Sequence, residues 1–83
     1  MSVKEQIRQF IVNEFLFGQN GTLEDSASLL DAGILDSMGV LQTLFYLEET
    51  FGIQVEDDEV MPDNIDSIDN LANFVARKQN VPA

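Results

Sequence analysis

The stretch GILDSMGVLQTLFYLEETFGI, from Gly33 to Ile53, decides how the rest of the chain is read. It predicts a helix from about Ser37 to Phe51, because Asp36 is a strong N-cap residue and Gly52 a strong C-terminal stop. On a wheel turning ~100° per residue, Val40, Leu44, Leu47 and Phe51 fall within about 60° of one another and form a core stripe. Met38, Leu41 and Phe45 make a second apolar cluster, roughly 100–160° around from Val40, with Glu48 and Glu49 flanking it near the far end. Ser37 falls between the two stripes at the helix start. A helix in a small protein needs only one apolar stripe. Either this one is buried on two sides, or it keeps an exposed apolar patch edged by acid, which suits transient docking. In the second case apolar contacts supply affinity, and Glu48 and Glu49 steer a basic partner.

The 83 residues suit one domain with one core, and a hydrophobic content of 45% favours folding over disorder. No apolar run approaches a membrane span, and MSVKEQIRQF lacks the apolar centre of a signal peptide, so a cytoplasmic protein is expected. There is no Cys and no His. No disulfide framework, zinc site or nucleophile–histidine triad is therefore expected. Fifteen acids face four bases, for a net charge of −11, and nine of the acids lie between Glu48 and Asp69. Such a field disfavours nucleic acid and anionic membrane and speeds encounter with basic protein surfaces. Crowding of these acids also predicts lower thermal stability at low salt.

Around the central helix the expected fold is all-helical. Ser2 with Glu5 is a capping-box pair that starts a first helix at Val3. Val3, Ile7, Phe10, Ile11, Phe15 and Leu16 supply its apolar positions, and Gly18 is its expected stop. From Gly18 to Asp36 periodicity fails. GQNGTLEDSAS is turn-rich, LLDAGIL offers apolar anchors for a long loop, and Thr22 and Ser28 can each begin a single helical turn. Pro62 interrupts the region after Gly52, and a short helix is expected around Asp63 to Asp66. A last helix starts near Ser67, with Ile68, Leu71, Ala72, Phe74 and Val75 facing inward and Arg77 and Lys78 at its negative end. Residues 3–78 form the expected ordered core, and 79–83 a frayed tail.

Asp36-Ser37 carries more than a helix start. With Asp36 in the capping place, the Ser37 hydroxyl is left to point outward, at a helix end that favours anions. In this setting LLDAGILDSMGVLQTLFYLEETFGIQV resembles the centre of an acyl or peptidyl carrier protein. The matching residues are Gly33, Leu35, Asp36, Ser37, Met38, Glu48, Glu49, Phe51, Gly52 and Ile53, and the order of elements matches from about Val3 to Lys78. The resemblance implies a four-helix bundle of the acyl-carrier type, with a long loop between helices 1 and 2 and a short helix 3, as a single carrier domain over 1–83. It implies 4′-phosphopantetheine held covalently on Ser37, installed by a phosphopantetheinyl transferase, with Asp36 as the helix cap beside the site. The arm's thiol would carry an acyl or aminoacyl group as a thioester, so a chain with no Cys does thiol chemistry without catalysing anything. Implied partners are that transferase, an acyl- or aminoacyl-activating ligase and downstream transferases or synthases. They would meet Met38, Leu41, Phe45, Glu48 and Glu49 on a monomeric carrier.

Departures from the family pattern point to a specialised, free-standing carrier for an aminoacyl or secondary-metabolite pathway. Met38 stands where Leu is usual, Gly39 where fatty-acid carriers often have an acid, and Gln42 where Glu is common. Leu44, Leu47, Phe51 and Ile65 are the residues expected to line any cargo cavity. A rival reading, an acidic adaptor or nucleic-acid mimic acting by charge alone, leaves Asp36-Ser37 unexplained. EDDEVMPDNIDSID fails as a calcium loop. Counted from Asp57, its sixth and twelfth positions are Pro62 and Ile68, where an EF-hand needs Gly and Glu.

Overall fold

A computed structural model describes residues 2–16 and 23–80. In it the chain forms α1 (Val3–Phe15), α2 (Ser37–Phe51), α3 (Pro62–Ile65) and α4 (Ile68–Asn80), with a 3-10 turn at Asp57–Glu59. No strand occurs among the described residues. The expected all-helical, four-helix arrangement with a short third helix is what the chain adopts. Three expectations lie outside the described residues: the stop at Gly18, the turn begun by Thr22, and the tail at 81–83.

α1, α2 and α4 each start where a side chain meets their free N–H groups. Ser2 Oγ accepts from the Glu5 N–H at 3.1 Å, Asp36 Oδ1 from the Gly39 N–H at 2.8 Å, and Ser67 Oγ from the Asn70 N–H at 3.0 Å. α2 ends at Gly52, whose φ of 67° is the left-handed conformation that a residue without Cβ adopts at least cost. Two boundaries differ from expectation. α3 begins at Pro62 and not at Asp63, because proline is well suited to the first helical position, where no N–H is needed. α4 runs through Gln79 and Asn80, past the expected fraying point.

The core joins Ile7 and Ile11 of α1, Leu29 and Leu35 of the long loop, Val40, Leu44 and Leu47 of α2, Ile65 of α3, and Ile68, Leu71, Phe74 and Val75 of α4. Val12 is also buried, a position that the expected stripe of α1 omits. Leu44, Leu47 and Ile65, proposed from sequence as cavity-lining, are packed within this core, whereas Phe51 is half-buried and lines an open cleft with Ile53 and Lys78. Aromatic rings join α1 to α2. Phe10 stacks on Tyr46 with centroids 4.1 Å apart, Phe15 meets Phe10 edge-on, and Phe51 meets Tyr46 edge-on. The Tyr46 hydroxyl donates to the Gln6 carbonyl at 3.2 Å.

The described part of the long loop, residues 23–36, is fastened and does not merely cross the surface. Leu29 and Leu35 are the buried anchors that LLDAGIL foreshadows. Ser28 starts a single turn, its Oγ accepting from the Asp31 N–H at 3.1 Å. Asp66, at the end of α3, receives three donors from this segment: the Leu29 N–H on its carbonyl at 2.6 Å, the Leu30 N–H on Oδ1 at 3.0 Å, and the Ser28 hydroxyl on Oδ2 at 2.6 Å. A second tie runs from the Asp69 N–H to the Asp25 carbonyl at 3.0 Å. These bonds fix the segment that delivers Asp36 and Ser37 to the head of α2.

Candidate functional site

Ser37 is exposed and is the first residue of α2. The Asp36 side chain takes the Gly39 N–H and the Asp36 carbonyl takes the Val40 N–H at 2.8 Å. The N–H groups of Ser37 and Met38 thus have no acceptor among the described residues, as expected for the first positions of a helix. Among the described residues, most other hydroxyls are engaged. Ser2, Ser28 and Ser67 accept backbone N–H groups, Thr43 is buried and donates to the Gly39 carbonyl at 2.8 Å, and Tyr46 donates to Gln6. The Ser37 hydroxyl has no hydrogen-bond partner among the described residues. Exposed Ser26 and Thr50 share that freedom, but neither stands at the N-terminus of a helix. A phosphodiester on Ser37 Oγ would lie beside two free N–H donors and the positive end of a 15-residue helix, so the residues present fit the group.

Gly39 has a packing reason. It is buried, and a Cβ there would stand 3.1 Å from Phe15 Cε1 and 3.2 Å from Leu35 Cδ2. Phe15 therefore stands close over the first turn of α2, and a side chain at this position, where fatty-acid carriers often have an acid, would require Phe15 and Leu35 to give by a few tenths of an ångström. Sequence alone offers the anomaly, a glycine inside the first turn, but not the ring that causes it.

The second apolar cluster of α2 is exposed: Met38 at 66%, Leu41 at 60% and Phe45 at 61%. Burial on two sides is thereby excluded, and the helix divides into a core stripe and an open face. Glu49 is exposed beside that face. Glu48 is not its equivalent. It is half-buried, and its Oε2 accepts from the Val55 N–H at 2.9 Å, so this carboxylate braces the turn that follows Gly52. Of the two acids expected to meet a partner, Glu49 is thus the more open and Glu48 also has a structural task.

All four cations lie away from this face. Lys4 meets Asp69 at 2.6 Å and Asp25 at 3.5 Å, the Arg8 guanidinium pairs with Asp25, Lys78 reaches Glu59 at 2.8 Å, and Arg77 donates to Asn64 at 2.7 Å. The Arg8 hydrogen bond lowers the Asp25 pKa, and Lys78 does the same for Glu59. The Asp69 carboxylate raises that of Lys4. Among the described residues no group of three or more acidic side chains is arranged to hold a metal ion, and no helix is long and apolar enough to cross a membrane.

Known proteins share this arrangement. Residues 14–75 match the family described as the phosphopantetheine attachment site. D-alanyl carrier proteins of Streptococcus pyogenes, from serotype M5 (strain Manfredo), serotype M49 (strain NZ131) and serotype M1, are each 28% identical over 80 residues, covering 96% of this chain and 99% of theirs. A chain from a crystal structure described as that of an FAD-dependent dehydrogenase superposes with a TM-score of 0.75 at 28% identity, over 83% of this chain and 97% of that one. The open helix head, the divided α2 and the match across most of the sequence converge: this chain belongs to the phosphopantetheine-attachment family and is a carrier protein that holds its cargo on covalently attached 4′-phosphopantetheine.

Proposed function

We propose that Ser37 is the attachment residue and that the cargo is an aminoacyl group. The observation that carries the first part is the exposed Ser37 hydroxyl, without a partner among the described residues, at the head of α2 beside the free N–H groups of Ser37 and Met38. A phosphopantetheinyl transferase supplies the base and the metal ion. Ser37 Oγ gives up its proton and forms the new bond to phosphorus, and the nucleotide half of coenzyme A leaves. The loaded arm supplies a terminal thiol, on which cargo is held as a thioester. The protein's own residues cap the helix (Asp36), keep the serine accessible (the fastened loop) and present an apolar face (Met38, Leu41 and Phe45). It catalyses no step itself.

The aminoacyl reading is supported by similarity to D-alanyl carrier proteins along nearly the whole chain. It also agrees with a core in which Leu44, Leu47 and Ile65, the side chains a long acyl chain would have to part, are closely packed. The partners are then an aminoacyl-activating ligase and a downstream acceptor enzyme, in the cytoplasm, acting on a monomeric carrier whose single domain spans 1–83. Intact-protein mass spectrometry after incubation with coenzyme A, magnesium and a broad-specificity transferase tests the attachment. The expected result is a gain of one phosphopantetheine on the wild type and none on Ser37→Ala. Unmodified wild type that is folded by circular dichroism would overturn the assignment.

A further inference from the structure

Ser37, Leu41, Phe45 and Glu49 follow one another at four-residue intervals and so lie along one ridge of α2. The ridge leads from the attachment serine into an open groove of about 530 Å³ between α1 and α2. Phe10 and Glu14 form its α1 wall, and Leu41, Phe45, Tyr46 and Glu49 its α2 wall. The Phe10 and Tyr46 rings are stacked, and the Tyr46 hydroxyl is held by the Gln6 carbonyl, so the aromatic surface is fixed in place. Glu14 and Glu49 are both exposed, and neither pairs with a cation among the described residues. An ammonium group matches this setting, because the carboxylates attract it and the aromatic faces add a cation–π contribution. A fatty acyl end gains nothing from the carboxylates.

The length of the arm suits the groove. About fourteen bonds separate Ser37 Oγ from the thiol sulfur, roughly 17 Å when extended at the spacing of a peptide chain. The α-ammonium of an aminoacyl thioester lies one residue-length further, about 20 Å from the serine oxygen. Glu49 stands about 18 Å along α2 from Ser37. A second open cleft, at the far end of α2, is walled by Phe51, Ile53 and Glu56 but also by Lys78, which disfavours an ammonium. Building on the assignments of Ser37 and of an aminoacyl cargo, we propose that the α1–α2 groove is a resting site for the cargo end of the arm. The arm runs over Leu41 and Phe45, and the α-ammonium lies between Glu14 and Glu49. Each charge contact is weak because both carboxylates are exposed, but the tether supplies an effective concentration of about millimolar. A weak hold lets a partner enzyme draw the cargo out.

The test uses the full ¹⁵N-labelled chain and two coenzyme A analogues in which an amide replaces the thioester. One carries alanine and the other propionate, so the two arms differ only in the amine. A broad-specificity phosphopantetheinyl transferase installs them, and intact mass confirms one arm per chain. In ¹H–¹⁵N spectra at low salt, the alanyl arm is expected to shift the amides of Phe10, Glu14, Phe45 and Glu49 about twofold more than the propionyl arm does. The excess should disappear in Glu14→Gln/Glu49→Gln and persist in Asp58→Asn/Asp63→Asn, which removes the same charge outside the groove. Equal shifts from the two arms, an excess that survives Glu14→Gln/Glu49→Gln, or one that Asp58→Asn/Asp63→Asn abolishes equally, would overturn the proposal. Wild type that takes neither arm would instead overturn the assignment of Ser37. Carrier isolated from its own cells with an acyl group lacking an amine would overturn the aminoacyl reading.

Discussion

The α1 and α4 side of this molecule and the open face of α2 use charge in opposite ways. Where α1 begins and α4 ends, every cation is matched: Lys4 and Arg8 draw Asp25 and Asp69 together, and Lys78 and Arg77 hold Glu59 and Asn64. Along α2 there is no basic residue, and Glu49, unpaired among the described residues, stands beside exposed Met38, Leu41 and Phe45. One region pairs each of its cations and so acts as scaffold. The other leaves a carboxylate and an apolar face open together, a state that a second molecule relieves.

The largest expected effect contrasts the two faces of α2. Leu47→Ala removes a fully buried side chain and should cost about 2–5 kcal/mol in urea unfolding. Phe45→Glu, two residues away on the open face, should change stability by less than about 0.5 kcal/mol while slowing modification by the transferase. If Phe45→Glu unfolds the protein, the division of the helix is wrong. Next is the close approach at the helix head. Gly39→Leu should destabilise by about 1–3 kcal/mol, because Phe15 and Leu35 must give way, and Phe15→Ala in the same chain should recover part of the loss. A Gly39→Leu variant as stable as wild type would show that the ring moves aside freely.

Asp66→Ala should cost about 1–2 kcal/mol by leaving the Leu30 N–H and the Ser28 hydroxyl without their acceptors. Hydrogen exchange should quicken in residues 28–35 before it quickens in α4. Uniform quickening would mean that the loop is not separately fastened. The smallest effect concerns pH. Asp25 has a lowered pKa in the folded state, so its contribution is present above the ordinary carboxylate range and is lost as pH falls through its folded value. Relief of repulsion among the acids acts in the opposite sense, so the difference between wild type and Asp25→Asn is the informative quantity. That difference should be largest near neutral pH and shrink towards pH 3. A constant difference would remove the Arg8–Asp25 pair from the account.

Much of this was legible in the sequence because the signals were local. Asp36 and Gly52 bracket α2 by capping chemistry, Ser2 and Ser67 start their helices by the same means, and a 3.6-residue period separates the two stripes of α2. The match to a carrier pattern around Asp36-Ser37 supplied the function. What escaped depends on residues far apart in sequence. Asp66 was read only as part of a short helix, yet it binds a loop 36 to 38 positions earlier. Glu48 and Glu49 are neighbouring residues of one type, and only the fold assigns one to Val55 and leaves the other without a partner among the described residues. The contact of Phe15 with Gly39, and the share of α1 in the groove, depend on how two helices cross, which periodicity does not encode.

Fragmentation of the transferase-treated protein in the mass spectrometer tests the central claim most directly, by locating the added mass along the chain. The account predicts that fragments ending at Asp36 are unmodified and that those including Ser37 carry one whole phosphopantetheine. Added mass at any other hydroxyl, such as Ser26 or Thr50, which are exposed and without partners among the described residues, or none on a folded chain, would contradict it.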